Sequence, residues 1–208
     1  MNSVALALRN DVIRFSKEAV VRGLVPNTQG NVSVRDPQTG LIAITPHDLP
    51  YEGMTPDDLV IVDVNGRQVG GPHEPSYETP VHCVVYRQRP DVFAIIHTEP
   101  IYVNTLGALG KSIEPVVACL LTNLGGSVPV MPFVLSGSEH FGNEMMKVMQ
   151  QGAGVIWANH GLLTVGRTVE EAFRRTVICE HTAHIYYNAL LYGQPTLVAS
   201  DQIEKIVG

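Results

Sequence analysis

The chain has only three cysteines, Cys83, Cys119 and Cys179, an odd number at wide spacing. That excludes a disulfide framework, and no C-x-x-C pair marks a thiolate metal site. It has no long apolar run: no stretch approaches the roughly 20 residues needed to span a bilayer. The segment Met1–Asn10 lacks the leading charge and the apolar length of a secretory signal, so a cytoplasmic, reduced protein is expected. Basic excess is missing too: the formal charge is −6, which argues against a nucleic-acid binder and its basic face. There is no internal repeat, low-complexity segment or linker. What remains is 208 residues, 45% hydrophobic and 16% charged, the composition of a globular protein with a sizeable core. Residues 1–208 are expected to form a single domain.

Periodicity supplies the elements. A loosely helical pattern over about residues 3–22 stops at Gly23. Strand-like runs follow at 32–34, 41–45 and 59–64, and Asn65-Gly66 suggests a two-residue hairpin turn. Residues 72–75 read as a loop, and Ser76 can cap a helix with Val81, Val84 and Val85 as its inner face. Further strands are expected at 92–97, 128–130, 153–157 and 162–165, with a helix near 138–151. The sharpest signal is Thr168-Val169-Glu170-Glu171, a capping box that opens a helix running to Tyr192 and closed by Gly193 and Pro195. Helices at both ends around a strand-rich middle suggest an antiparallel or mixed sheet covered by helices, not a βαβ repeat.

The chemistry-bearing residues lie in separated segments: Glu78, then His97 and Glu99 at the end of an apolar strand, then His160 in Ala158-Asn159-His160-Gly161. Strand side chains alternate with period two, so His97 and Glu99 project from one face. With His160 they read as a two-histidine, one-carboxylate site for a divalent metal, and Glu78 as a proton carrier beside it. Spacing alone does not distinguish this from a hydrogen-bonded histidine at a strand end. In Asn27-Thr28-Gln29-Gly30-Asn31, Gly30 permits a turn whose N–H groups cradle an anion, and Thr28 and Asn31 add side-chain donors. A plain polar turn is the competing reading.

Taken in order, residues 27–35, residues 44–51, Pro75-Ser76-Tyr77-Glu78, the Ile95-Ile96-His97 strand and Asn159-His160-Gly161 resemble the class II aldolase/adducin family, over about residues 10–190. The resemblance implies an α/β fold of αβα layers, a central, largely antiparallel β-sheet flanked by helices. It implies a metal-dependent lyase that cleaves a small ketose, a ketose 1-phosphate first of all, to dihydroxyacetone phosphate and an aldehyde. Glu78 would be the catalytic acid/base, and His97, Glu99 and His160 would hold the metal. Thr28, Gly30, Asn31, His47, Asp48, Ser76 and Tyr77 would line the substrate and phosphate pocket. Zinc is the first choice of ion, with manganese, iron(II) and cobalt as alternatives. A homotetramer with its sites at subunit interfaces is also implied. Sugar-phosphate 4-epimerase, dehydratase or decarboxylase activity are alternatives on the same scaffold, and a non-catalytic adducin-like module is a further one.

Departures from the family are specific. His47-Asp48 stands where Thr or Ser followed by Gly is usual, and Tyr77 where a second Ser is common. Glu99 replaces the second histidine of H-x-H. Residues 114–119 hold no tyrosine, which leaves the aldehyde-side acid unassigned. A carboxylate at Asp48 facing a phosphate dianion costs Coulomb energy unless paired or turned away.

Overall fold

The computed structural model describes residues 4–199. Helix α1 (Leu6–Val21) buries Val12, Ile13, Phe15, Ser16 and Ala19 on one face. It ends in a Schellman arrangement: Gly23, at φ 67°, donates to Val20 O and Leu24 to Ala19 O. Strands β1 (Asn31–Arg35), β2 (Ile42–Ile44), β3 (Val60–Val62) and β4 (Gln68–Gly70) then form an antiparallel meander.

The β3–β4 turn is longer than the two residues suggested by Asn65-Gly66. It is closed by Asp63, whose N–H donates to Arg67 O, and whose side chain accepts from Asn65 N and Arg67 N. Only Gly66 of the pair takes a positive φ, 81°. An aspartate that organises its own turn makes the left-handed demand on Asn65 unnecessary.

Helix α2 (Thr79–Gln88) leads into β5 (Ala94–Thr98). Helices α3 (Ile101–Ala108) and α4 (Ala118–Leu124), short strand β6 (Val130–Met131) and helix α5 (Glu139–Met149) follow. Strands β7 (Gly154–Trp157) and β8 (Gly161–Gly166) form a hairpin, and α6 (Val169–Tyr192) closes the described chain. The Thr168 hydroxyl accepts from Glu171 N as the capping motif requires. The Glu171 carboxylate, however, reaches back past Thr168 to Arg167 N.

The strands join one eight-stranded sheet in the order β4-β3-β2-β1-β5-β8-β7-β6. Every pairing is antiparallel except β6 with β7. Central β5 is buried along its whole length. Its side chains alternate between layers: Ile95 belongs to the core under α2 and α5, and Ala94 and Ile96 to the core under α1 and α6. A third cluster, with Val103, Leu106, Leu120 and Ile156, seats α3 and α4. This is the layered, largely antiparallel architecture expected.

Truncating Ile95 to alanine removes a fully buried side chain from the central strand, and should cost about 2–5 kcal/mol in denaturant unfolding. The same change at Val69, exposed on edge strand β4, should stay within about 0.5 kcal/mol.

Candidate active site

Strand β5 delivers His97 to the end of the sheet, where the ring is fixed on two sides. Its Nδ1 lies 3.1 Å from Leu162 O on β8, and it stacks on the Trp157 indole with ring centroids 4.3 Å apart. A carbonyl only accepts, so Nδ1 carries a proton and Nε2 is the nitrogen turned into the site. His160 sits in the β7–β8 turn, where Asn159 takes φ 58° and the His160 N–H donates to Trp157 O. The two imidazoles meet edge to face, 5.0 Å between centroids.

Glu78 fills the space between them. Its Oε2 is 3.4 Å from His97 Nε2 and its Oε1 is 3.4 Å from His160 Nε2. It does not occupy the first turn of α2, as a helix capped by Ser76 would place it. Glu78 is itself the N-cap, with Ser76 Oγ accepting its N–H at 3.3 Å, and its side chain makes no capping bond. The carboxylate is free to turn into the site, where Asn31 Nδ2 donates to Oε2 at 2.9 Å.

Burial pushes the Glu78 carboxyl upward, but the nearby His97, the Asn31 hydrogen bond, His160 and His82 outweigh it, and the net shift is downward. Glu99, half-buried, is raised chiefly by burial. Burial carries His160 down to about 4, so this imidazole is neutral at pH 7.

Two imidazole nitrogens therefore meet at a carboxylate, an arrangement that suits a cation. One ligand atom from each of Glu78, His97 and His160 lies within 4.8 Å of the others. Glu99 stands outside that trio but at the same opening, Oε1 3.9 Å from His160 Nε2, with its N–H bound to Leu24 O. Two nitrogens and carboxylate oxygens are a borderline donor set of the kind divalent transition ions take.

The cluster opens into a cavity of about 250 Å³. Its wall includes Thr28, Gly30 and Asn31 from the loop before β1, His47 and Asp48 from the loop after β2, and Ser76 and Tyr77 before α2. The fold thus brings every residue singled out in the sequence to one cavity, Glu78, His97, Glu99 and His160 included. Gly30 is required: at φ 92° a Cβ would come 2.6 Å from His97 O. The Tyr51 hydroxyl holds its carbonyl at 2.7 Å. Asp48, at φ 50°, accepts a 2.7 Å bond from Thr28 Oγ1.

Gln29, Pro46 and Ser136 also line the cavity; Gln29 and Pro46 lie within segments 27–35 and 44–51, whereas Ser136 carries no sequence signal. Ser136 arrives because the Tyr77 ring packs against Gly137, where an added Cβ would lie 2.0 Å from Tyr77 Cε1.

Beneath the site His82 is fully buried. Its Nδ1 is 2.7 Å from Ser33 Oγ, which also lies 2.8 Å from the Tyr86 hydroxyl. Its Nε2 has no hydrogen-bond partner among the described residues.

Residues 10–187 match the Class II Aldolase and Adducin N-terminal domain. The 5-deoxy-D-ribulose 1-phosphate aldolase of Bacillus thuringiensis serovar kurstaki is 31% identical over 198 residues, covering 95% of this chain and 92% of the relative. The L-fuculose phosphate aldolase of Escherichia coli K12 is 29% identical, over 96% of this chain and 92% of its own. A solved L-fuculose 1-phosphate aldolase superposes with a TM-score of 0.92 at 28% identity, covering 98% of this chain and 95% of that one. The chain belongs to the class II aldolase and adducin N-terminal domain family. No helix among the described residues is long and apolar enough to cross a membrane.

A Cβ at Gly161 would lie 2.5 Å from Thr98 O and 2.7 Å from His97 Cε1. Gly161→Ala should therefore displace His97 and weaken metal affinity by about 10–100-fold in a competitive chelator titration. Burial holds His82 down to about 3 from an ordinary 6.5. Between those values the unfolded chain binds more protons at this position, so its contribution is complete above 6.5 and lost as pH falls toward 3. Unfolding of the metal-free protein should lose up to about 1.4 kcal/mol per pH unit from this group. His82→Gln should flatten that slope.

Proposed function

We propose that the protein is a divalent-metal-dependent aldolase that reversibly cleaves a small ketose 1-phosphate to dihydroxyacetone phosphate and an aldehyde. The carrying observation is the convergence of His97 Nε2, His160 Nε2 and the Glu78 carboxylate at the wall of an open cavity. The similar aldolases of 5-deoxy-D-ribulose 1-phosphate and L-fuculose phosphate support that substrate class.

His97 and His160 would hold the ion, with carboxylate oxygen from Glu99 and, at rest, from Glu78. Zinc suits that set best, and manganese, iron(II) and cobalt follow. Bound there, the ion supplies Lewis acidity for negative charge developing on the ketose carbonyl oxygen.

The residues of the chain account for orientation and for one proton. In cleavage the C3–C4 bond breaks, its electron pair passes to C3 and on to the C2 carbonyl oxygen, and the C4 hydroxyl proton passes to solvent in the open cavity, from which Glu78 takes up the proton it delivers. Glu78 returns a proton to C3, and in condensation its carboxylate removes one. A carboxyl held below its ordinary range is ionised at neutral pH, the form that condensation needs. Asn31 keeps it aimed. Gly30, Asn31 and Ser76 offer neutral donors for the anionic end of the substrate.

A homotetramer with the site at a subunit interface belongs to the same reading. It fits the apolar side chains exposed at and near the segments that line the mouth, Tyr77, Phe133 and Leu135. A cytoplasmic location fits three unpaired thiols.

The test combines elemental analysis with aldehyde release from a panel of ketose 1-phosphates and free ketoses. Wild type should carry stoichiometric metal and cleave at least one compound, and Glu99→Ala should lose both metal and turnover. Glu78→Gln should lower kcat by about 10²–10⁴-fold, the range for a positioned proton carrier. Wild type that binds no divalent ion after reconstitution would sink the proposal.

A further inference from the structure

The end of the cavity beside Thr28 is built for a hydroxyl as much as for a phosphate. No lysine or arginine lines the cavity among the described residues, whereas Asp48, Glu78 and Glu99 do. Of the groups there able to carry positive charge, His97 and His160 face the Glu78 carboxylate, which leaves exposed His47.

Thr28, the nearest side-chain donor in the anion loop, does not point a free proton at the ligand. Its hydroxyl donates to Asp48 Oδ1 at 2.7 Å. Asp48 is fixed by its own backbone, at φ 50°, next to His47, whose N–H is bound to Glu74 O. The exposed Asp48 carboxylate keeps acceptor capacity beyond the one bond from Thr28, since an ionised carboxylate offers about four lone-pair sites. A phosphate dianion meets like charge at this place; a neutral hydroxyl meets an acceptor.

We propose that the same site cleaves unphosphorylated ketoses, with Asp48 as the specificity-determining residue that accepts the substrate's terminal hydroxyl. This rests on the lyase reading above. The bond broken is again C3–C4, and the proton movements are those already described. The products are dihydroxyacetone and the aldehyde, which together account for every atom of the ketose without a co-reactant.

The experiment compares kcat/KM for a free ketose and its 1-phosphate in the metal-loaded wild type, Asp48→Asn and Asp48→Gly. Both replacements tolerate the left-handed backbone, so two folded variants are available. Wild type should turn over the free ketose. Both variants should shift the ratio toward the phosphate ester by about tenfold or more, the worth of one hydrogen bond to a charged group. No turnover of the free ketose by wild type, or an unchanged ratio in both variants, would overturn the assignment of Asp48. Turnover of neither compound overturns the lyase reading and this inference with it.

Discussion

The burial of the Glu78 carboxylate between two imidazoles is the constraint around which the rest of the site is arranged. A carboxylate out of water is costly unless it is paired and hydrogen-bonded. Here Asn31 supplies one hydrogen bond and His97 and His160 face the two oxygens. With His97 Nδ1 engaged by Leu162 O, only its Nε2 faces the carboxylate, and the remaining compensation must come from a cation or from a proton within the cluster. A site of this kind is tuned by metal occupancy more than by any single hydrogen bond.

That constraint propagates into backbone requirements. His97 and Gly161 sit on neighbouring strands, and Gly30 lies against the His97 carbonyl, so a side chain at either glycine would collide with the strand end that carries the ligand. Asn159 takes the left-handed conformation that turns His160 inward. Trp157, fully buried, backs the His97 ring on one side and packs edge-on against Phe141 of α5 on the other. The order of the sheet serves the same end: β5 lies between β1, which brings Asn31 opposite His97, and β8, which brings Leu162.

The sequence made the strongly patterned elements legible. Helix α6, announced by Thr168 and stopped near Gly193, and helix α5, with Phe141, Met145 and Met149 spaced four apart on its buried face, lie where periodicity puts them. Helices α3 and α4 were not anticipated. Each is short, neither has a side-chain cap, and the segment Ile101–Ala108 is too evenly apolar to show a helical face. The cavity residues were legible wherever a motif carried them. Ser136 was not, because it reaches the cavity through a Tyr77–Gly137 contact between segments 60 residues apart. The position of Glu78 also required the structure. An N-cap and a first-turn residue differ by one step in sequence, yet only the N-cap leaves this carboxylate clear of the helix and directed at the histidines.

Electrostatics joins the two halves of the cavity. With no lysine or arginine on its described wall, an anionic substrate gains little from fixed positive charge and depends on N–H and hydroxyl donors. A divalent ion held by His97 and His160 would then be the largest positive charge in reach, so metal and anion binding are linked and each should strengthen the other. The depressed Glu78 and the raised Glu99 belong to this balance, since two carboxylates beside one cluster cannot both be stabilised as anions without it. The same scarcity of fixed positive charge gives Asp48 its weight. In a basic pocket one carboxylate would be neutralised, whereas here it sets the sign of the corner beside Thr28.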